Sequence, residues 1–326
     1  MEDQLKDEIK SFFDYLNGSP DLIKVFNQIQ ELTKDYEKHE YLNTHKKLPY
    51  ELNLEIMKPE IVKFFSEYFS LSKALEVKQI LDGKSKYFTD SDGYHVYFLK
   101  NDFKVRSMGY VCIRENNKCN ELYVYLNNTL NDYFVAVHEL AHSISAHKKQ
   151  PIDSFNEGQI DQVYIPQHDV ILEVESYITE ALFFDYMIKQ GKLNFNDFRL
   201  YYENQCHMLH NILYQYSTRK EEKKVVMMQN TPPHRKFRYV FGGILAAQWI
   251  RKYESSQDER EQMKKTFCDY LGKTSKSTLD IDLVSQMLLG KNFTEVAKDF
   301  KDILEIDREK AKPSEDKNLT NERVKN

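Results

Sequence analysis

The sequence predicts a mostly α-helical protein with one small antiparallel β-sheet, an α+β fold, and three patterns support this prediction. Apolar residues recur at helical spacing over residues 3–80. Between about 86 and 126 they alternate with polar residues, in YHVYFLK, GYVCIR and ELYVYLN, which is typical of short strands. Helical spacing then returns and continues to about residue 304. We therefore expect helices on both sides of a small sheet.

Changes in the spacing of the apolar residues and in composition divide the chain into three parts. Residues 1–85 are predicted to form a helical amino-terminal region that ends at the turn sequence LDGKS. Residues 86–305 combine the sheet with the later helices in one domain. Within it, residues 149–169 are predicted to form a long loop of the kind that covers functional sites. Residues 306–326 are charged and poor in apolar side chains, so we expect a disordered tail.

Composition and charge exclude several classes of function. The 46 basic and 51 acidic residues are spread along the chain, so no basic stripe predicts a nucleic-acid partner. No run of about 18 apolar residues predicts a membrane-spanning helix. The start, MEDQLKDEIKSFF, lacks the apolar core of an export signal, so we expect a cytoplasmic protein, with non-classical secretion left open. No C-x-x-C pair is present, and we expect the four cysteines to be reduced and mostly buried: Cys112, Cys119, Cys206 and Cys268.

The sequence HELAH at 138–142 predicts a metal site. His138 and His142 are four positions apart and share one face of a helix that is predicted to begin near Asn128 or Thr129, so both imidazoles can bind one cation. Glu139 lies beside them and suits a general base that takes a proton from the attacking water. Two neutral imidazoles and a carboxylate leave an open fourth position, which predicts one Zn²⁺ ion.

The next predicted helix, in LEVESYITEALFFDYMI, offers a third ligand. Glu173 and Glu180 are seven positions apart and share a face, whereas Glu175 points about 160° away and is expected to face solvent. We predict that Glu173 binds the metal and that Glu180 accepts a hydrogen bond that orients one of the histidines. Two histidines are alternative third ligands, His147 and His168.

These motifs resemble the catalytic half of the oligoendopeptidase F and thimet oligopeptidase family of zinc peptidases. The stretch VRSMGYVCI at 105–113 resembles the family's basic-Gly-aromatic-Cys strand, and NNTLNDYFVAVHELAHSIS resembles its metal-binding helix. EVESYITEALFFDYMI resembles its E-V-x-S-x-x-x-E helix, and the order of the blocks agrees. The resemblance implies a zincin-like metallopeptidase catalytic domain over 86–305, with Glu173 as third zinc ligand and Glu180 as its supporting carboxylate. It also implies that an extended peptide substrate pairs along the strand of Gly109.

A fourth block extends the resemblance. TPPHRKFRYVFGGILAA at 231–247 is similar to a family segment in which a His and a Tyr contact substrate and stabilise the oxyanion, which implies catalytic roles for His234 and Tyr239. The chain departs from the family at Ala141, where Gly is usual, and in a longer link after His142. It also has about half the usual family length, so we expect a more open cleft.

The predicted function is zinc-dependent hydrolysis of peptide bonds in a peptide or protein substrate, with no nucleic-acid or membrane partner. Two alternatives stay open. A zinc amidase would apply the same chemistry to a non-peptide amide. A catalytically idle zincin-fold binding protein would keep the fold alone, but Glu139 and a full set of candidate ligands favour an enzyme.

Overall fold

The computed structural model of the protein describes eight segments of the chain: residues 2–39, 43–83, 94–101, 108–113, 120–146, 166–219, 233–272 and 279–311. These segments are mostly helical and carry one small sheet, as the sequence predicts. The amino-terminal helices are α1 (Glu2–Asn17), α2 (Pro20–Thr33), α3 (Leu54–Tyr68) and α4 (Leu71–Leu81).

The amino-terminal helices begin at local capping residues and share a core with later helices. Asn53 and Ser70 cap α3 and α4, and each side chain accepts a hydrogen bond from a backbone N–H three residues further on. The ring of Phe64 in α3 then packs 5.0 Å from the ring of Phe183 in the second half of the chain. Aromatic contacts of this kind join the helices of residues 1–85 to the helices that carry the predicted site.

The sheet has three strands, β1 (Tyr94–Lys100), β2 (Met108–Ile113) and β3 (Asn120–Leu126), in the spatial order β1-β3-β2. β2 runs antiparallel to β3, but β1 runs parallel to it. The prediction of an antiparallel sheet was therefore wrong for the β1–β3 pair. Alternation of apolar and polar residues predicts that a strand exists and which side is buried, but it carries no information about the neighbouring strand.

The helix that carries HELAH is α5 (Asn131–Ala146), and a tight turn fixes its start. Asn128 adopts a left-handed φ of 58°, and its Oδ1 accepts a hydrogen bond from the backbone N–H of Leu52. The buried Asp132 carboxylate accepts hydrogen bonds from the backbone N–H groups of Asn127 and Thr129. Asn128 and Thr129 therefore belong to the turn rather than to the helix, and α5 begins slightly later than the sequence predicts.

The remaining helices enclose α7, which is buried on nearly every side between α5 and α9. α12 extends past residue 306, where the sequence predicts the tail to begin, and residues 312–326 lie outside the described segments, as does most of the predicted 149–169 loop. No helix in the described segments is long and apolar enough to cross a membrane. The later helices are α6 (Pro166–Asp169), α7 (Val174–Lys189), α8 (Phe195–Arg219), α9 (Phe237–Ser255), α10 (Gln257–Gly272), α11 (Ile281–Leu289) and α12 (Phe293–Ala311).

Candidate metal centre

The side chains of His138, His142 and Glu173 converge on one point between α5 and the start of α7. The two Nε2 atoms are 3.1 Å apart. Glu173 Oε2 lies 3.2 Å from Nε2 of His138 and 3.4 Å from Nε2 of His142. Among the described residues, these three form the one group of His, Cys, Asp or Glu ligand atoms close enough together to hold a metal ion.

The triangle of ligand atoms fits a tetrahedral divalent ion. Metal–imidazole bonds of about 2.0–2.1 Å place neighbouring ligands of a tetrahedral ion about 3.3–3.4 Å apart. The observed separations of 3.1, 3.2 and 3.4 Å match this spacing without any movement of the backbone. Three protein ligands leave a fourth position for water or substrate, which is the arrangement of catalytic rather than structural zinc sites.

Contacts around Glu173 fix its position at the amino-terminal end of α7. Ser176 Oγ lies 3.2 Å from Glu173 Oε2 and 3.0 Å from its backbone oxygen, and donates to this residue. Arg238 of α9 donates a hydrogen bond to Asp169, and both side chains are buried beside the segment that leads into Glu173. Gly242 of α9 packs directly on the Glu173 backbone. The predicted third ligand is therefore held from two helices, α7 and α9.

A carboxylate and a tyrosine support His138. Its Nδ1 atom lies 2.5 Å from Glu180 Oε1. The hydroxyl of Tyr201 in α8 donates to the other oxygen of Glu180. The structure thus places Glu180 where a ligand-orienting carboxylate is predicted to lie, because a hydrogen bond at Nδ1 directs Nε2 toward the metal. The sequence gives no signal for Tyr201, which is one of 22 tyrosines and lies 21 residues after Glu180.

The prediction for Glu175 was wrong. The side chain is fully buried rather than solvent-facing. Its Oε1 lies 3.8 Å from Nδ1 of His142, and the hydroxyl of Tyr270 in α10 donates to its Oε2. The prediction from helical spacing requires that one face of α7 is exposed to solvent. Because α7 is apolar on almost every face, the whole helix is buried instead. A carboxylate within it then needs a polar partner.

Glu139 is buried beside the ligand triangle, and β2 covers it. Only 7% of its surface is exposed, and burial raises the pKa of this carboxyl. A methyl group at Gly109 of β2 would lie 2.6 Å from Glu139 Cγ and 2.8 Å from Cγ1 of Val135, so only glycine permits the strand to approach α5 this closely. The backbone of β2 is therefore adjacent to the predicted general base.

Glu173 and the two histidines stabilise each other's charged forms. Burial opposes the charged form of Glu173, but His142 and His138 hold the pKa of this carboxyl well below its usual value. Burial likewise opposes protonation of His138, but Glu173 and Glu180 raise the pKa of this imidazole well above its usual value. A metal ion must displace protons from the histidines, so metal affinity is expected to fall as pH falls through these imidazole pKa values.

Tyr239 is linked to His138 through the ring of Tyr177, whereas His234 lies against α1. The ring of Tyr239 lies 6.4 Å from that of Tyr177, which in turn lies 6.1 Å from the ring of His138. Burial and the carboxylate of Glu173 raise the pKa of Tyr239, so its hydroxyl stays protonated at neutral pH. His234 instead lies against α1, with its Nε2 3.4 Å from a carboxylate oxygen of Glu8.

The alternative third ligands lie outside what the structure describes. His147 is not among the described residues, and neither is the side chain of His168, although its backbone belongs to α6. Of the candidates for the third ligand whose side chains the structure describes, Glu173 is the one that lies beside both histidines of HELAH.

Comparison with solved structures relates the fold to peptidases. A proposed oligoendopeptidase F from Bacillus anthracis str. Ames superposes over 88% of this chain and 56% of its own, with a TM-score of 0.55 and 15% sequence identity. The chain shares the fold of that structure. It spans little more than half of that protein's length. A proposed peptidase from Chlamydophila abortus matches over 93% of this chain and 55% of its own, with a TM-score of 0.42 and 13% identity.

Comparisons by sequence find no such relationship. No protein-family model matches the chain, and no curated protein matches it. At 15% identity the likeness in structure concerns the fold alone, and a shared fold does not by itself imply a shared function.

Two adjacent glycines of α9 provide a test of how Glu173 is positioned. A methyl group at Gly242 would lie 3.1 Å from the backbone carbon, the backbone oxygen and Cβ of Glu173, whereas one at Gly243 would meet only a Leu209 methyl at 3.5 Å. We expect Gly242→Ala to displace Glu173 and to weaken metal binding by about 10-fold, the lower end of the range for loss of ligand support. Metal affinity is measured by competition with a chromophoric chelator.

Gly243→Ala is the matched control, because it makes the same change in the same turn of helix. It should leave metal affinity unchanged and stabilise the protein by up to about 1 kcal/mol, since Ala is the better helix former. Equal metal affinity in the two variants would show that the contact between α9 and Glu173 does not position the ligand.

Proposed function

We propose that the protein is a zinc-dependent peptidase in which His138, His142 and Glu173 bind one Zn²⁺ ion and Glu139 is the general base. The observation that supports this most directly is the triangle of ligand atoms 3.1–3.4 Å apart with a buried carboxylate beside it. When bound, the zinc ion supplies a Lewis acid that activates water and polarises the substrate carbonyl. Two imidazoles and one carboxylate are a common ligand set of catalytic zinc.

Glu139 performs the proton transfers in this proposal. Its carboxylate accepts a proton from the attacking water and then delivers it to the amine that leaves. Burial raises the pKa of Glu139, which brings the carboxyl closer to the working pH and suits it to both steps. Because β2 and α5 exclude solvent around it, the transferred proton stays with the reacting groups.

Tyr239 is proposed to stabilise the oxyanion that forms on the substrate carbonyl. Its hydroxyl is protonated, and Tyr239 lies in α9, the helix that packs against Glu173 through Gly242. A neutral hydroxyl can donate a hydrogen bond to developing negative charge. The substrate contact predicted for His234 stays a prediction, and in the structure this residue contacts Glu8 and Phe12 of α1.

The substrate is proposed to bind in an extended form along β2. In the described part of the sheet β2 is an edge strand, paired with β3 on one side. An extended peptide adds to such an edge through backbone hydrogen bonds, which requires no particular side-chain sequence. The close contact between Gly109 of this strand and Glu139 supports binding of the substrate beside the proposed general base. We therefore propose a peptide, or a flexible segment of a protein, as the substrate.

The proposal is tested by assaying the full chain, loaded with zinc, against a quenched short-peptide library and against intact proteins. We expect cleavage of peptide bonds that a zinc chelator abolishes and added zinc restores. Cleavage of peptides alone would indicate an oligopeptidase, and cleavage of proteins would indicate an open cleft. Zinc-dependent hydrolysis of non-peptide amides alone would favour the amidase, and zinc binding without any hydrolysis would favour a binding protein.

A further inference from the structure

Glu175 is a second buried carboxylate directed at the metal centre. It lies in the third position of the E-V-x-S-x-x-x-E pattern, to which that pattern assigns no role. Its side chain has no exposed surface, and burying a carboxylate is unfavourable unless it is paired and hydrogen-bonded. One oxygen faces Nδ1 of His142 at 3.8 Å, and the other accepts a hydrogen bond from Tyr270 at 3.3 Å.

The two histidines therefore have the same kinds of neighbours, although Glu180 lies 2.5 Å from His138 Nδ1 and Glu175 lies 3.8 Å from His142 Nδ1. In each imidazole Nε2 faces the ligand triangle and Nδ1 faces a carboxylate of α7. Each of these carboxylates also accepts a hydrogen bond from a tyrosine on a different helix. The two sets are His138 with Glu180 and Tyr201, and His142 with Glu175 and Tyr270.

We propose that Glu175 is a positioning residue that, together with Tyr270, orients His142 for metal binding. A carboxylate at Nδ1 fixes the tautomer with the proton on Nδ1, leaves Nε2 free to bind the ion and limits rotation of the ring. Tyr270 fixes the carboxylate in turn, so that α10, about 95 residues further along the chain, contributes to the centre. This inference rests on the proposed zinc site, and it adds a support for the second histidine that the predicted site does not include.

A purely structural role for Glu175 is the alternative, since its bond with Tyr270 also joins α7 to α10. Asp185 offers a matched control for that role. It lies on the same helix, and its carboxylate accepts a hydrogen bond from Tyr68 of α3 at 2.7 Å, so it also joins α7 to another helix through a tyrosine. It has no histidine partner among the contacts that the structure shows. Asp185→Asn thus weakens the same kind of bond away from the metal centre, because it removes the charge of the acceptor.

The experiment compares wild-type protein, Glu175→Gln, Tyr270→Phe and Asp185→Asn, all as full chains. Zinc affinity is measured by chelator competition, and the Nδ1–H signal of His142 by NMR on zinc-loaded protein. We expect zinc affinity to fall about 10- to 100-fold in Glu175→Gln and to fall less, in the same direction, in Tyr270→Phe. The His142 signal should move upfield in both, because the interaction of Nδ1–H with the carboxylate is weakened, and Asp185→Asn should match wild type in both measurements.

The outcomes separate this inference from the proposed function. If wild-type protein binds zinc and both Glu175→Gln and Tyr270→Phe bind it equally well, the positioning role is refuted while the zinc site stands. An affinity loss in Asp185→Asn as large as in Glu175→Gln would also refute it, because general loosening of α7 would then explain the effect. If wild-type protein binds no zinc, the proposed function itself fails. Tyr270→Phe keeps the test decisive if Glu175→Gln does not fold.

Discussion

Glu139→Gln is expected to lower the rate of peptide hydrolysis by about 10²- to 10⁴-fold while the protein still binds one zinc ion. The substitution preserves the volume of the buried side chain but removes the group that accepts the proton. The ligand atoms of His138, His142 and Glu173 are separate from this carboxylate, so the metal site should be unchanged. Measuring kcat and zinc content on the same preparation tests both parts of the prediction.

Glu261→Gln serves as the control, because it makes the same chemical change on the largely exposed side chain of a glutamate in α10. Its kcat and zinc content should equal those of wild type. A Glu139→Gln protein with wild-type activity would refute the assignment of the general base. Loss of zinc from Glu139→Gln would instead show that this carboxylate belongs to the metal site.

Glu173→Ala is expected to lower zinc affinity by more than about 100-fold, because it removes one of the three proposed ligands. Loss of a residue that only supports a ligand typically lowers metal affinity by about 10- to 100-fold. Zinc content after dialysis should fall to a small fraction of one ion per chain, and hydrolysis should be lost with it. The loss of the carboxylate also removes the partner that raises the pKa of His138 and His142. Elemental analysis of dialysed protein measures the zinc content directly.

Ser176→Ala is the control for Glu173→Ala, because it removes a hydroxyl that contacts the Glu173 carboxylate but keeps the ligand itself. It should retain nearly a full equivalent of zinc. If Glu173→Ala also retains its zinc, the third ligand must be another residue, and Glu180, His147 and His168 are then the candidates.

Helical periodicity predicts which side chains of one helix share a face. Positions four apart in α5 must share a face, and this places His138 and His142 together without knowledge of the rest of the fold. The same periodicity separates Glu173 and Glu180 from Glu175 on α7. It fails to predict the environment of Glu175, because that depends on which helices cover each face, and Tyr270 comes from a helix about 95 residues away.

The strand order and the supporting tyrosines likewise depend on tertiary packing, which local sequence patterns do not predict. Alternating residues identify all three strands, but their order depends on tertiary packing, and β3 lies between the other two. Tyr201 and Tyr270 have no sequence motif, and only the folded chain brings their hydroxyls to the carboxylates of α7. Local periodicity thus defines the ligands, and tertiary packing defines what supports them.

The most direct test of the account is an anomalous diffraction measurement at the zinc absorption edge on crystals of zinc-loaded protein. We predict one strong peak per chain within bonding distance of Nε2 of His138, Nε2 of His142 and a carboxylate oxygen of Glu173. A strong peak bound to other residues, or these three side chains in place without a peak among them, would contradict the proposed metal centre.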